Sequence, residues 1–448
     1  MADILPPTRE PGRRSGRNKR RRAAPTDGPS GKPEPAPVGI SVGAVQPAER
    51  QRPPLAPPRT HAAKAHGIAP AAAKAQACVG AQSVSSPRID TPQPQRTGAP
   101  YHRQAYAAID LGTNNCRLLI ARPSGDHFVV IDAFSRVVRL GEGLAQSGRL
   151  SDAAMDRALA ALHICADKLR KRNVHLARSV ATEACRRASN GADFIARVHR
   201  ETGIRLDIIT AQEEARLAVL GCHILLEHGD GLAMIFDIGG GSTEMVLVDP
   251  TGGVPHILDW QSVPWGVVSL TESIGAIGDS AEARLAAYDD MRSRVARDFA
   301  AFAERITPLR DDALATGAMR LMGTSGTVTT LASLYLELPQ YDRRAIDGVI
   351  VPTGAMRDIS QRLSRLSYAE RVALPCIGRE RSDLVVAGCA ILETIFDIWP
   401  APRLGIADRG IREGILRGLM ASGNTPERGP AATNGTPNGA SIQTGNHR

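Results

Sequence analysis

The chain has 448 residues and a formal net charge of +9, with 42% hydrophobic but only 4% aromatic residues. The charge is uneven: residues 1–103 carry 17 Lys+Arg against 6 Asp+Glu, which leaves 38 basic and 40 acidic residues, a net −2, for the remainder. The basic character therefore belongs to one end and does not describe the body of the chain.

Residues 1–103 also hold 18 of the 31 prolines and one aromatic, Tyr101, too little apolar surface to offset the entropy of ordering. They read as a disordered basic extension, and the basic run from Arg13 to Arg22 lacks the amphipathic pattern of a transit peptide. Seven scattered cysteines without a CxxC pair argue against a zinc site and a disulfide framework, and fit a reducing cytoplasm. No stretch approaches the ~18 consecutive apolar residues of a membrane span, and no apolar leader opens the chain.

From Ala105 the texture changes to short apolar runs. AYAAID, CRLLIA and FVVIDAF read as three strands, followed by a helix capped by Ser151 with apolar positions at Met155, Leu159, Leu162 and Leu169. SVATEA predicts a strand, Ala192 to Glu201 a helix, IRLDII a strand and Ala211 to His228 a helix. At Leu232 the pattern restarts with LAMIFDIGGG, EMVLVD and HILDWQSV. Helices are expected over about 280–306, 326–337, 353–365 and 381–398, with strands MRLMGT and RLGIAD between them and a capping box at Ser367 and Glu370. A Gly/Asn/Thr/Pro-rich tail, 421–448, closes the chain. One architectural unit occurs twice, over 104–231 and 232–420.

Each unit opens on an Asp at the end of a strand followed by small residues: Asp110-Leu-Gly-Thr-Asn-Asn115 and Asp237-Ile-Gly-Gly-Gly-Ser-Thr243. Either turn alone reads as a plain hairpin. In pairs they suit another task, because glycine lets backbone amides approach phosphate oxygens and Asp offers the hard oxygen that Mg²⁺ prefers.

AAIDLGTNNCRLLIA, ATEACRRASN, ITAQEEARLAVLG, FDIGGGSTEMVLV and GTSGTVTTLASL, in this order, resemble the exopolyphosphatase and guanosine pentaphosphate phosphohydrolase (Ppx/GppA) family over roughly 104–420. The resemblance implies an α/β fold of two ribonuclease-H-like domains, that of the acetate and sugar kinase, heat-shock ATPase and actin superfamily, with an active cleft between them. It implies the short, two-domain form, and Mg²⁺-dependent hydrolysis of a terminal phosphoanhydride. Glu214 aligns with the family's catalytic glutamate and Arg186 with its catalytic arginine.

The residues themselves add detail. Thr210 and Glu213 fit a capping box; Glu214 has no such structural reason beyond complementing the helix dipole. Arg186 offers a planar fork for a phosphoryl group, with Arg187 as the alternative contact. Asp110, Asp237 and Glu244 are the metal candidates, and without the motif Glu244 reads as a surface acid on an edge strand. Gly112, Thr113, Asn114, Gly239, Gly240, Gly241, Ser242 and Thr243 are expected at phosphates, joined by Gly323, Ser325 and Gly326 in a loop that enters a helix. Thr113 and Asn115 stand where family members more often have Ser; Thr113 keeps the hydroxyl, whereas Asn115 changes the donor set. Arg409 and Arg412 are candidates for a polyanion, and no histidine is assigned chemistry.

The expected activity is hydrolysis of the terminal phosphate of polyphosphate, of guanosine pentaphosphate, or of both. The second substrate needs a base pocket, for which Trp260, Trp265, Tyr335 and Tyr341 are among the few aromatics. A kinase of the same superfamily and a non-catalytic alarmone or polyphosphate sensor are the alternatives. The basic extension is a candidate tether for polyphosphate or RNA. No membrane partner is expected, and the sequence leaves the oligomeric state open, a homodimer included.

Overall fold

The computed structural model describes residues 104–125 and 127–423; the expected basic extension, and the tail beyond Gly423, lie outside the described residues. In the first half, β1 (Ala105–Leu111), β2 (Asn115–Ser124) and β3 (His127–Val137) form an antiparallel meander. Helices α1 (Leu144–Ser147) and α2 (Asp152–Lys171) lead to β4 (Val174–Ala181), which runs parallel to β1. Then α3 (Glu183–Arg187) and α4 (Gly191–Thr202) lead to β5 (Leu206–Ile208), parallel to β4, and α5 (Ala211–Cys222) follows. The strand order is β3-β2-β1-β4-β5.

The second half repeats this plan with more helix. A meander of β6 (Ala233–Ile238), β7 (Thr243–Asp249) and β8 (His256–Val263) is followed by α6 (Val267–Ile274) and α7 (Ala281–Thr316). Next come β9 (Arg320–Thr324), parallel to β6, then α8 (Gly326–Tyr335), α9 (Arg343–Ile346), β10 (Ile350–Pro352), α10 (Thr353–Arg365), α11 (Tyr368–Val372) and α12 (Val385–Ile398). The half ends with β11 (Arg403–Ala407) and α13 (Ile411–Gly423). Its sheet is ordered β10-β11-β9-β6-β7-β8. Read from β8 to β11 it matches the first sheet strand for strand, with β10 added as an antiparallel edge. Both sheets thus have the ribonuclease-H-like order.

Burial explains why the central strands read as continuous apolar runs. Ala107, Ile109 and Leu111 of β1 face Leu159 and Leu162 of α2, whereas Tyr106 and Ala108 face Ile415 and Leu416 of α13. In β6, Phe236 faces the helices α7 and α12, and Ile235 faces Val219 of α5. A helix from each half therefore packs outside its own sequence segment. The boundary expected at 231/232 divides the sheets but not the helices: α13 covers the first sheet, while α5 presents Leu217 to the first and Val219 to the second.

The two helices cross at backbone distance. A Cβ on Gly221 would sit 1.9 Å from the carbonyl oxygen of Gly410, and one on Gly414 would sit 2.1 Å from that of Leu217.

Several elements differ from expectation. Thr182 and Glu183, expected in a strand, leave the sheet, and Glu183 begins α3. The helix expected to His228 ends at Cys222 and tightens into a single 3₁₀ turn over His223–Leu225. Helix α7 does not stop before Pro308 but continues to Thr316; Pro308 lies on the exposed face, so the carbonyl deprived of its amide partner can turn to solvent. Helix α12 starts at Val385, later than expected, and α13 runs three residues past Met420. The capping box at Ser367 and Glu370 is present. That of Thr210 is only half formed: its hydroxyl accepts from the Glu213 amide, but the Glu213 carboxylate goes to Arg178 and Arg216.

Candidate active site

The two Asp-Gly turns are the same piece of structure made twice. In each, a glycine amide donates across the hairpin over 2.9 Å, Gly112 to the carbonyl of Asn115 and Gly239 to that of Ser242. In each, the strand-end Asp faces the residue seven positions on across the ladder, Asp110 opposite Arg117 and Asp237 opposite Glu244. Residues directly opposite share one face of a sheet. The first copy thus sets a cation beside its carboxylate and the second sets another carboxylate.

The two turns touch each other. A Cβ on Gly241 would lie 2.5 Å from Thr113 Oγ1, and one on Gly240 3.0 Å from Thr113 Cβ. Gly266, before α6, packs as tightly behind the second turn, where a Cβ would reach within 2.3 Å of Gly240. Glycine is needed here for approach, not for a left-handed backbone.

A cavity of about 120 Å³ opens between the turns, walled by Asp110, Thr113, Asn114, Arg117, Glu183, Glu214, Asp237, Gly240, Gly241, Ser242, Glu244 and, from the third loop, Ser325, Gly326 and Thr327. Three of these carboxyls, Asp110, Glu214 and Glu244, are buried, Asp237 is partly buried, and the four repel one another. Burial, then the charge of Asp110, lifts Asp237 to about 6 against the pull of Arg117. Burial, then Asp237, lifts Glu244 to about 7, although Ser242 and Ser262 donate to it at 2.7 and 2.8 Å. Burial, then Glu244, pushes Glu214 well above the usual carboxylate range, opposed by Arg186. Asp110 is raised less freely because Arg117 and Arg412 offset its burial.

Buried, mutually repelling oxygen donors are the setting that a hard divalent cation stabilises, so the donor set fits Mg²⁺. Among the described residues no three His, Cys, Asp or Glu side chains are grouped tightly enough to enclose an ion unaided. Phosphate or water oxygens would have to complete its shell.

The opposite charge comes from arginines. Arg381, just before α12, donates to Thr330 Oγ1 at 2.8 Å and lines the cavity; burial, then the nearby charge of Arg117, lowers its pKa. Two cations held close together, Arg117 partly buried and Arg381 at the mouth, make a place where an anion is welcome. A second cavity continues from the first past Arg117, Arg381, Tyr341, Arg409 and Arg412.

The third loop adds amides. Ser325 has a left-handed φ of 102°, uncommon for a residue with a side chain, and makes no capping bond to α8. Its hydroxyl oxygen and Asn114 Oδ1 are both buried without a partner. Amide donors of an uncapped helix start thus face the cavity beside two unsatisfied polar atoms.

Several sequence expectations change. The amides of Gly112 and Gly239 are consumed inside their hairpins, which leaves those of Thr113, Asn114, Gly240 and Gly241 without a backbone acceptor among the described residues. Thr243 is a packing residue: it is fully buried and donates to the carbonyl of Trp265 at 2.7 Å. Gly323 lies within β9, where a Cβ would strike the Phe236 ring at 2.4 Å, and it does not line the cavity.

Glu244 is no surface acid, being 2% exposed. Arg186 is bonded to Glu183 and Glu214 but forms no part of the cavity wall; Arg187 is more exposed and reaches Glu183 only at 3.9 Å. Arg409 lines the second cavity but is held by Asp347 at 2.7 Å, whereas Arg412 lies within electrostatic reach of Asp110. Of the four aromatics considered for a base, Tyr341 alone lines either cavity; the Trp265 ring N–H is bound to Asp298.

Sequence reasoning missed Arg117, Glu183 and Arg381. Arg117 was signalled by its offset from Asp110, the same as that of Glu244 from Asp237. Arg381 stands at the expected start of a helix, in GRERSD, where no local signal distinguishes it from the neighbouring charges.

Solved structures similar to the chain carry the same arrangement of elements. The Aquifex aeolicus member of the Ppx/GppA family is 25% identical, with a TM-score of 0.57 over 72% of this chain and 99% of that one. An exopolyphosphatase-like protein is 26% identical, with a TM-score of 0.62 over 71% and 99%. An exopolyphosphatase from Cytophaga hutchinsonii is 25% identical, with a TM-score of 0.59 over 71% and 98%. The family model for Ppx/GppA phosphatases matches residues 119–422, from within β2 through nearly all of α13; it takes in the second sheet, Glu214, the second turn and the third loop, while β1 and the first turn precede it. On this match, the chain belongs to the Ppx/GppA phosphatase family.

Proposed function

We propose that the chain hydrolyses the terminal phosphoanhydride of inorganic polyphosphate, with guanosine pentaphosphate as the second candidate, by water that Glu214 activates. The observation that carries the reading is the meeting, in one cavity, of a buried high-pKa carboxyl with free turn amides on one side and unpaired arginine charge on the other.

Phosphoryl transfer spreads charge over the equatorial oxygens, so catalysis is chiefly positioning and positive potential. The amides of Thr113, Asn114, Gly240 and Gly241 would hold those oxygens, and Arg117 and Arg381 would receive the next phosphate along. Asp110, Asp237 and Glu244 would hold Mg²⁺, which when bound neutralises the phosphates and keeps the carboxyls ionised. Glu214 would take the proton of the attacking water, a role for which a pKa raised by burial makes it a stronger base. A linear polyanion matches the run of arginines in the second cavity, while Tyr341 is the lone aromatic of the four considered that is placed to meet a base.

The test is to incubate the protein with Mg²⁺ and, separately, polyphosphate, guanosine pentaphosphate, and ATP with candidate acceptors. Orthophosphate release without ATP consumption is the expected result, with a higher kcat/KM on polyphosphate; ATP-dependent labelling of an acceptor would establish a kinase instead. Glu214→Gln should bind polyphosphate normally and lose roughly 10²–10⁴-fold in kcat. Normal turnover by that variant removes Glu214 from the base role.

A further inference from the structure

We propose that Glu183 is a positioning residue for this reaction, which grips Arg186 from the side away from Glu214 and so fixes the direction in which Glu214 faces the attacking water. The inference rests on the reading of Glu214 as the base. It assigns Arg186 to holding that base, rather than to clamping the transferred phosphoryl group.

Arg186 is engaged around its whole fork. Glu183 Oε2 accepts from Nε at 3.1 Å and from Nη2 at 2.6 Å. Nη1 donates to the carbonyl of Ile209 at 2.8 Å and to Glu214 Oε2 at 3.0 Å. These four bonds leave one of the five guanidinium hydrogens without a partner and fix the plane of the group. The guanidinium stands outside the cavity wall, while both carboxylates that hold it are part of the wall.

Removal of Glu183 would leave Arg186 held through Nη1 alone, free to turn about that edge and to carry Glu214 with it. Glu183 is itself fixed from the other half of the molecule. Its stem lies so close to Gly241 that a Cβ there would come within 3.0 Å of Glu183 Cγ. Contact between the two turns is thereby passed through Glu183 and Arg186 to Glu214. An acid in the first turn of a helix also complements the helix dipole, but that role would not require both Nε and Nη2 of Arg186 on one oxygen.

Glu183→Gln keeps the shape of the side chain and should melt at the wild-type temperature. With polyphosphate and Mg²⁺ its kcat should fall roughly ten- to a hundredfold, the cost of a loosened supporting contact, with KM changed by less than about twofold. If Glu183 acts through Arg186, the double variant Glu183→Gln/Arg186→Ala should be no slower than Arg186→Ala alone. A wild-type kcat for Glu183→Gln, a change confined to KM, or additive losses in the double variant would each overturn the proposal. Glu214→Gln separates the two levels: turnover by that variant sinks the base reading and this inference with it, whereas an inactive Glu214→Gln beside a fully active Glu183→Gln sinks this inference alone.

Discussion

The raised carboxyls of the site give its dependence on pH and metal a calculable sign. Asp237 at about 6 and Glu244 at about 7 stand above their unfolded values of roughly 3.9 and 4.3. A carboxyl with a raised folded pKa binds its proton more tightly in the native state. Its stabilising contribution is complete below the unfolded value and is lost as pH rises through the folded one, so the ion-free protein loses it between about pH 4 and pH 7. A divalent cation favours the ionised forms, and its own stabilisation must grow over that window. The Mg²⁺-induced rise in Tm, measured by calorimetry against chelator, should therefore be larger at about pH 8 than at about pH 5.5. Asp237→Asn should remove most of the difference. An equal rise at both pH values would show that these carboxyls are not the ion's ligands.

Among the elements, the crossing of α5 and α13 is the joint of the molecule, and its closeness depends on missing side chains. Gly414→Ala places a methyl 2.1 Å from the Leu217 carbonyl oxygen, so the helices must part. The expected cost is about 1–3 kcal/mol by urea unfolding, with a larger fractional loss of kcat/KM than of secondary structure, because α5 also carries Glu214. Unchanged stability would mean that the crossing has slack. The crossing also marks how far the sequence could be read. Strands β1 and β6 were legible because both their faces are covered, which makes Ala-Tyr-Ala-Ala-Ile and Ala-Met-Ile-Phe unbroken apolar runs. Glu214 was legible because the Thr210 cap accounted for Glu213 and left its neighbour without a local task. Hidden features were those that depend on a partner far along the chain: the exchange of α13 onto the first sheet, the use of Gly323 as room for Phe236, and the approach of Arg381 to Arg117. The turn amides were misjudged for a local reason, since composition does not reveal that Gly112 and Gly239 spend their N–H groups on the hairpin itself.

Over the whole molecule, charge is arranged by location more than by amount. Residues 104–448 sum to −2, yet Arg117, Arg381 and Arg412 converge on the cleft, so the polyanion of the proposed reaction would be met by local potential and not by a basic surface. The +11 of residues 1–103 is a separate charge, in a segment whose composition does not support a packed core. Diffuse electrostatic attraction of this kind is screened by salt, while short-range contacts to arginines and turn amides inside the cleft are screened less. A chain beginning at Gln104 should therefore keep its kcat on polyphosphate of any length. Its KM for long chains should rise relative to the full-length protein at low ionic strength and match it at about 0.15 M salt, where the Debye length is only ~8 Å. Steady-state kinetics on short and long polyphosphate at two salt concentrations decide the matter: a fall in kcat would make the extension part of the catalytic body, and an unchanged KM for long chains at low salt would deny it any role as a tether.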